Sequence, residues 1–402
     1  MRYYLMNKDR KMLEFNIEIS PLGENINTER VFTDKFPKGF SDINTWLNNR
    51  NYAKHKQHFK KWLSEWGIDT TQGFIDITHG LGINDCLWVK NIDSDLKWEE
   101  INLYSNQFSD IAQQTAFDSG LYGLKLSSTD IISPEFTSEG TAPKCWKNEN
   151  GTIFLYKSKL SGAINFGLEA NCEYISSEIA RKIVGEESIK YNLVMFKDKL
   201  CSKSQLFTSE KYGYIPFYKY IDANRYYNLS DVLRICTEMG YENECRKMIL
   251  IDSITFNQDR HLGNFGFLVN NDTFEIKSFA PLFDYNSSML CNALDEDIQN
   301  LDAFHKYEDE YMLGHKLGGK FFEIGSAILT PELLEFIPKN IDFPIHEKYN
   351  LQTDRINHLT DILQENIQLI TGRTYYQIKS LNIQPRLCKS RDNLQKEGND
   401  KK

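Results

Sequence analysis

Phe256-Asn257-Gln258-Asp259-Arg260-His261-Leu262-Gly263-Asn264-Phe265-Gly266-Phe267-Leu268 places a cluster of polar and charged side chains between two apolar stretches. The stretch before it, with Met248, Ile249, Leu250, Ile251 and Ile254, has the apolar density of a buried helix. Burying Asn, Asp, Arg, His and Asn together is costly unless they satisfy one another or face a ligand. An aspartate followed five positions later by an asparagine is the spacing of kinase catalytic loops. There the Asp orients or deprotonates an acceptor hydroxyl and the Asn binds magnesium. Asp259 and Asn264 stand at that spacing, with His261 between them. Taken alone, such a pair arises often by chance, and a lone histidine is more often structural than catalytic.

The flanking sequence adds order to the cluster. Downstream, Asn270-Asn271-Asp272 reads as a turn and Phe274 to Phe279 as the returning strand, which leads into Ala280-Pro281-Leu282-Phe283-Asp284. An aspartate one hairpin beyond the loop can reach the same cation from the other side, and magnesium commonly takes one or two protein oxygens plus substrate phosphates. Asn264 and Asp284 are a chemically sufficient pair of ligands. Upstream, Thr152 to Lys157 alternates so that Ile153, Leu155 and Lys157 share a strand face. Lys157 at its end suits the α- and β-phosphates of a nucleotide. Glu173, at the start of the next helix, is its best-placed partner, and Glu178 is the rival. The loop Thr137-Ser138-Glu139-Gly140-Thr141-Ala142-Pro143-Lys144 can cover the phosphates, since Gly140 permits close backbone approach.

Further out, Tyr3 to Met6 and Met12 to Ile19 read as strands, and a helix capped by Asp42 carries Trp46, Phe59, Trp62, Leu63 and Trp66 to a stop at Gly67. Its other face, with Arg50, Lys54, Lys56, Lys60 and Lys61, reads as solvated. His79-Gly80-Leu81-Gly82 is a turn before the strand Cys86 to Val89, because no dinucleotide fingerprint follows it. A helix with Ile175, Ile179 and Ile183 stops at Gly185, and strands follow at Tyr191 to Phe196 and Lys199 to Phe207. Helices then dominate. Ser230 and Asn243 are the expected caps of two of them, Thr330-Pro331-Glu332 opens another, and Ile356 to Gly372 forms a last amphipathic one. This pattern predicts an α+β, bilobal fold. Its expected parts are a mixed α/β region at 1–125, a lobe with the phosphate loop at 126–210, a helical lobe at 211–385 and a disordered tail at 386–402.

A length of 402 residues suits two or three subdomains, and the net charge of −9 argues against non-specific nucleic-acid binding. The eight cysteines stand singly, without a C-x-x-C pair, as in a protein kept reduced. With neither a signal-like apolar run at the start nor a membrane-length one elsewhere, the expectation is a soluble cytoplasmic protein without membrane insertion.

The stretches NQDRHLGNFGFL and PLFDYNSSML, with GTAPKCW and GTIFLYK upstream, resemble the HipA-like kinases, a family distantly similar to phosphatidylinositol kinases through the D-R-H-x-x-N core. The resemblance spans about residues 130–372. It implies a kinase-like fold and a serine/threonine protein kinase using ATP and magnesium. Asp259 would be the base, His261 would lie in the catalytic set, and Asn264 and Asp284 would be metal ligands. Gly140, Lys144, Lys157 and Glu173 would serve the nucleotide, with adenine against Gln205 to Ser209, which includes Leu206 and Phe207. It further implies autophosphorylation at Thr137 or Ser138, and, as in some relatives, an antitoxin or other protein partner, here expected at the N-terminal region. Two other readings stay open: a kinase of a lipid or small molecule, and a nucleotide-binding regulator without turnover.

Overall fold

The computed structural model describes residues 1–21, 23–51, 70–110, 112–113, 117, 133–137, 143–158, 167–222 and 225–372. In chain order the first elements are β1 (Arg2–Asn7), β2 (Arg10–Ser20), β3 (Gly23–Val31), α1 (Ile43–Arg50), α2 (Thr71–Thr78), β4 (Leu87–Asn91) and α3 (Trp98–Ile101). Then come β5 (Lys144–Glu149), β6 (Thr152–Ser158), α4 (Glu169–Val184), β7 (Tyr191–Phe196), β8 (Lys199–Gln205) and β9 (Tyr212–Pro216). The remainder is α5 (Leu229–Glu238), α6 (Glu242–Thr255), β10 (Gly266–Asn270), β11 (Ile276–Phe279), α7 (Leu301–Glu310), α8 (Phe321–Ala327), α9 (Pro331–Phe336) and α10 (Thr353–Gly372).

The class is α+β, as expected. The compact units are interleaved rather than contiguous. One holds Met1–Ser158, Lys203–Ile215 and Phe267–Ser278, and the other Lys159–Ser202, Pro216–Gly266 and Phe279–Lys402. The expected boundary at 125/126 lies outside the described residues, and the residues on both sides of 210/211 fall within the segment Lys203–Ile215 of the first unit. β9 and the β10–β11 hairpin form a three-stranded sheet of their own. Hydrogen bonds from the Tyr214 N–H to the Asn84 carbonyl at 2.7 Å and from Asn7 Nδ2 to the Asn271 carbonyl at 2.6 Å tie it into the first unit, although the helices that flank these strands in sequence belong to the second. The expected tail at 386–402 lies outside the described residues.

In the first unit, the antiparallel sheet β3-β2-β1-β4 is covered on both faces. Tyr3, Leu5, Leu13, Phe15 and Ile17 pack on Ile43, Leu47 and Phe74. Met6 and Trp88 point the other way, against Trp98, Ile101 and Ile153. That is the period-two alternation of a strand serving two layers. Asp42 caps α1 by accepting the Thr45 N–H at 2.8 Å. The helix ends at Arg50, and Phe59 to Gly67 lie outside the described residues. Arg50 is not on a solvated face. Its guanidinium grips Asp85 at 2.6 and 2.7 Å and the Gly80 carbonyl at 2.7 Å. A Cβ at Gly82 would meet it at 2.8 Å, so the His79 to Gly82 turn is built to pack on an arginine. In the β5–β6 hairpin, Lys144 stands opposite Lys157, and Leu206, just past β8, donates its N–H to the Ile153 carbonyl at 2.9 Å. Of the face expected to be an apolar row, Ile153 is buried, whereas Leu155 and Lys157 are half-buried; Tyr156 and Ser158, of opposite parity, are buried too.

In the second unit α6 is the central helix, with Met248, Ile249, Leu250, Ile251 and Ile254 all shielded from solvent and α4, α5, α8 and α10 around it. Such all-round burial explains its unbroken apolar sequence. Two caps differ from expectation. Asn228, rather than Ser230, caps α5 in a reciprocal box with Asp231, and α6 begins at Glu242 with Asn243 inside its first turn. Thr330 caps α9 by accepting the Leu333 N–H at 3.2 Å.

Candidate functional site

The polar loop begins where α6 is stopped by Phe256, which turns left-handed (φ 55°) and buries its ring against Phe304 and Phe321. The chain then closes through two tight turns, His261 N–H to the Asp259 carbonyl at 2.8 Å and Asn264 N–H to the His261 carbonyl at 2.9 Å. The His261 Nδ1 accepts the Gly263 N–H at 3.0 Å, so in this arrangement the ring braces its own loop. Asn264 is buried and donates Nδ2 to the Asp259 carbonyl at 3.0 Å. Its Oδ1 is thereby left as the end that can meet a cation.

Beneath the loop lies an ion pair that sequence reasoning did not single out. The Asp252 carboxylate takes Arg260 Nε at 2.8 Å and Nη2 at 3.0 Å, with neither side chain exposed. Burial works against its charge, but the guanidinium beside it prevails and holds the carboxyl below the usual aspartate range. The remaining nitrogen, Arg260 Nη1, donates to the carbonyls of Asn264 at 2.7 Å and Phe283 at 2.6 Å. One guanidinium thus ties the expected ligand Asn264 to the residue just before the expected ligand Asp284. Asn257, fully buried, is the second tie. It accepts the Asp259 N–H at 3.2 Å and donates to Asp252 at 2.9 Å and to the Asp284 carbonyl at 3.4 Å. The available signal was a carboxylate inside the apolar run of α6, where a charge demands a partner.

Asp284 holds a left-handed backbone (φ 64°) and donates its N–H to the Tyr191 hydroxyl at 3.2 Å. The preceding chain is pinned through Ile189 N–H to the Leu282 carbonyl at 2.9 Å and Leu282 N–H to the Glu187 carbonyl at 2.7 Å. Burial, and then the carboxylates of Glu173 and Asp284, push the Tyr191 phenol well up. Glu173, fully buried on α4, accepts a hydrogen bond from Ser202, while Glu178 is only half-buried.

The Asp259 carboxylate faces outward, 46% exposed, with Lys316 Nζ 3.6 Å from its Oδ1. This lysine was not anticipated either. It follows His315, whose Nδ1 accepts the Leu317 N–H at 3.1 Å and whose Nε2 stands 3.6 Å from Asp252.

The second unit therefore brings together Asp259, His261, Asn264 and Asp284, with Glu173 near the same tyrosine. Lys144, Lys157, Leu206 and Phe207 belong to the first unit, where Phe207 packs edge-on against Tyr214. Thr137 closes a short turn with its hydroxyl 3.3 Å from the Pro134 carbonyl, and Ser138 and Gly140 lie outside the described residues. Among the described residues no group of three or more His, Cys, Asp or Glu is arranged for a metal. An Asn and an Asp oxygen, completed by phosphates and water, nevertheless suit magnesium, which rarely has an all-protein cage. None of the described helices is long and apolar enough to cross a membrane.

No family model matches the chain, and no curated protein matches it. Among solved structures, it is similar to the crystal structure of a Helicobacter pylori proinflammatory kinase, CtkA, at 18% identity and a TM-score of 0.45, over 61% of this chain and 94% of that one. It is also similar to a chain of the complex of HipA, HipB and operator DNA from a Shewanella oneidensis MR-1 toxin–antitoxin system, at 10% identity and a TM-score of 0.46, over 95% of this chain and 100% of that one.

Proposed function

We propose that this chain is an ATP-dependent phosphotransferase, of the HipA-like serine/threonine kinase type, with a protein hydroxyl as acceptor. One observation carries the reading. The buried Asp252, Arg260 and Asn257 hold the backbone at Asp259, Asn264 and Asp284 together while leaving the Asp259 carboxylate open to solvent. The Asp259 carboxylate is thus kept accessible while its backbone is fixed to Asn264 and, through Asn257, to Asp284, the arrangement a positioned base requires.

In this reading Asp259 orients the acceptor hydroxyl and takes its proton as the oxygen attacks the γ-phosphorus of ATP and the bond to the β-phosphate oxygen breaks, leaving ADP. Asn264 Oδ1 and the Asp284 carboxylate would hold magnesium, which neutralises charge on the phosphates when bound. Lys157 and Lys144 are assigned to the phosphates, Glu173 to orienting a cationic partner, and Leu206 and Phe207 to the base. His261 is a positioning residue of the loop. Thr137 and Ser138 are the first acceptors to examine. The eight cysteines stand singly in the sequence and the seven described ones are buried, which suits a reducing compartment.

The test is incubation with γ-labelled ATP and magnesium beside Asp259→Ala and Asp284→Asn, with mass spectrometry of the labelled chain. Label in the wild type that both variants lose supports the reading. A wild type that binds ATP without transferring label, or an Asp259→Ala chain that labels equally, removes it.

A further inference from the structure

We infer that Lys316 is a catalytic residue of this site, its ammonium meeting the phosphoryl group in transfer; the inference rests on the phosphotransferase reading. In the run Leu313-Gly314-His315-Lys316-Leu317-Gly318 every residue is buried except Lys316. The neighbours on either side fix its place. His315 is wholly buried with its ring toward Asp252, Leu317 is 1% exposed, and Gly318 and Gly319 turn the chain back at φ 104° and 76°. The His315 N–H closes that turn on the Gly319 carbonyl at 3.2 Å. Lys316 is thus delivered by a rigid loop, unlike a lysine on an open helix face, and its Nζ arrives 3.6 Å from Asp259 Oδ1.

An exposed Lys–Asp pair adds at most about 1 kcal/mol to stability, so stability alone does not account for a loop folded to place it. The chemistry accounts for it better. An acceptor hydroxyl bonded to Asp259 brings the phosphorus it attacks to the neighbourhood of that carboxylate, and a cation at this distance reaches the phosphoryl oxygens on which charge is spread. The acceptor proton passes to Asp259, the new P–O bond forms as the bond to ADP breaks, and Lys316 keeps its proton throughout. Lys320, the next lysine, is committed to Glu308 and Asp309 at 2.9 and 2.7 Å and is not available for this role.

The test uses the full chain with magnesium and γ-labelled ATP as the probe, comparing wild type, Lys316→Met, Lys316→Arg and Asp259→Ala in single-turnover label transfer, with calorimetric ATP binding and melting temperature alongside. Lys316→Met is expected to slow transfer by about 10²- to 10³-fold, with ATP affinity within about threefold and an unchanged melting temperature, and Lys316→Arg to restore most of the rate. If wild type transfers label in an Asp259-dependent way and Lys316→Met stays within twofold, this inference fails while the functional reading stands. A loss matched by a fall in melting temperature or in ATP affinity also overturns it. A wild type without transfer overturns both.

Discussion

Arg260 and Asp252 form a two-point ion pair with no solvent exposure on either side chain, Nε to Oδ2 at 2.8 Å and Nη2 to Oδ1 at 3.0 Å. Neither side chain reaches solvent, yet the same guanidinium holds the carbonyls of Asn264 and Phe283. Geometry at the surface of the site is therefore set by charges buried beneath it.

Arg260→Ala should be the most destabilising single change in this loop, by about 3–5 kcal/mol, because it strands Asp252 as an unpaired buried charge. The double variant Asp252→Leu with Arg260→Met should cost less than the two single changes added together. Denaturant titration of all three checks this, and simple additivity would mean the two groups are not coupled.

Acid should expose the same pair. The folded-state pKa of Asp252 lies below its ordinary value, so its contribution is full above that ordinary range and is lost as pH falls through the folded value. Stability should decline progressively below about pH 4, and Asp252→Asn, less stable at neutral pH, should decline less steeply there. Parallel acid slopes for wild type and variant would remove Asp252 from the account.

A Cβ at Gly263 would stand 2.9 Å from Nδ1 and Cε1 of the His261 ring. Gly263→Ala should therefore displace the ring and slow label transfer at least about tenfold, while costing only about 1 kcal/mol of global stability, since the loop is partly exposed. Transfer at the wild-type rate would show that the ring's position does not matter to the site.

Asn257→Ala removes the hydrogen bonds to the Asp259 N–H, Asp252 and the Asp284 carbonyl. About 1–3 kcal/mol of stability should go with them, together with a larger proportional loss of transfer than of ATP affinity. Equal losses in both would place Asn257 in nucleotide binding instead.

Lys157→Ala should weaken ATP binding with little effect on melting temperature, because the half-buried lysine ends its strand beside Lys144. Unchanged affinity in calorimetry would reassign this strand.

Much of this protein was legible in short windows. Asp42 at its helix start, Gly185 at the end of α4, the strand Tyr191–Phe196 and the hairpin after Asn264 are local events, governed by caps, turns and periodicity within a few residues. The spacing of Asp259 and Asn264 belongs to the same kind, and so does the Asn264 amide closing on the Asp259 carbonyl. Strand β3 escaped because neither of its faces is deeply buried, so it carries no apolar alternation, and α2 because it is short and contains Gly73. Only the tertiary structure decided that Arg50 is an internal clamp, that Asp252 belongs to Arg260, and that Lys316 arrives beside Asp259. The physical reason is that a long charged side chain is equally at home in water or in a buried pair until folding supplies the partner and removes the solvent, and neither is written in its neighbours along the chain.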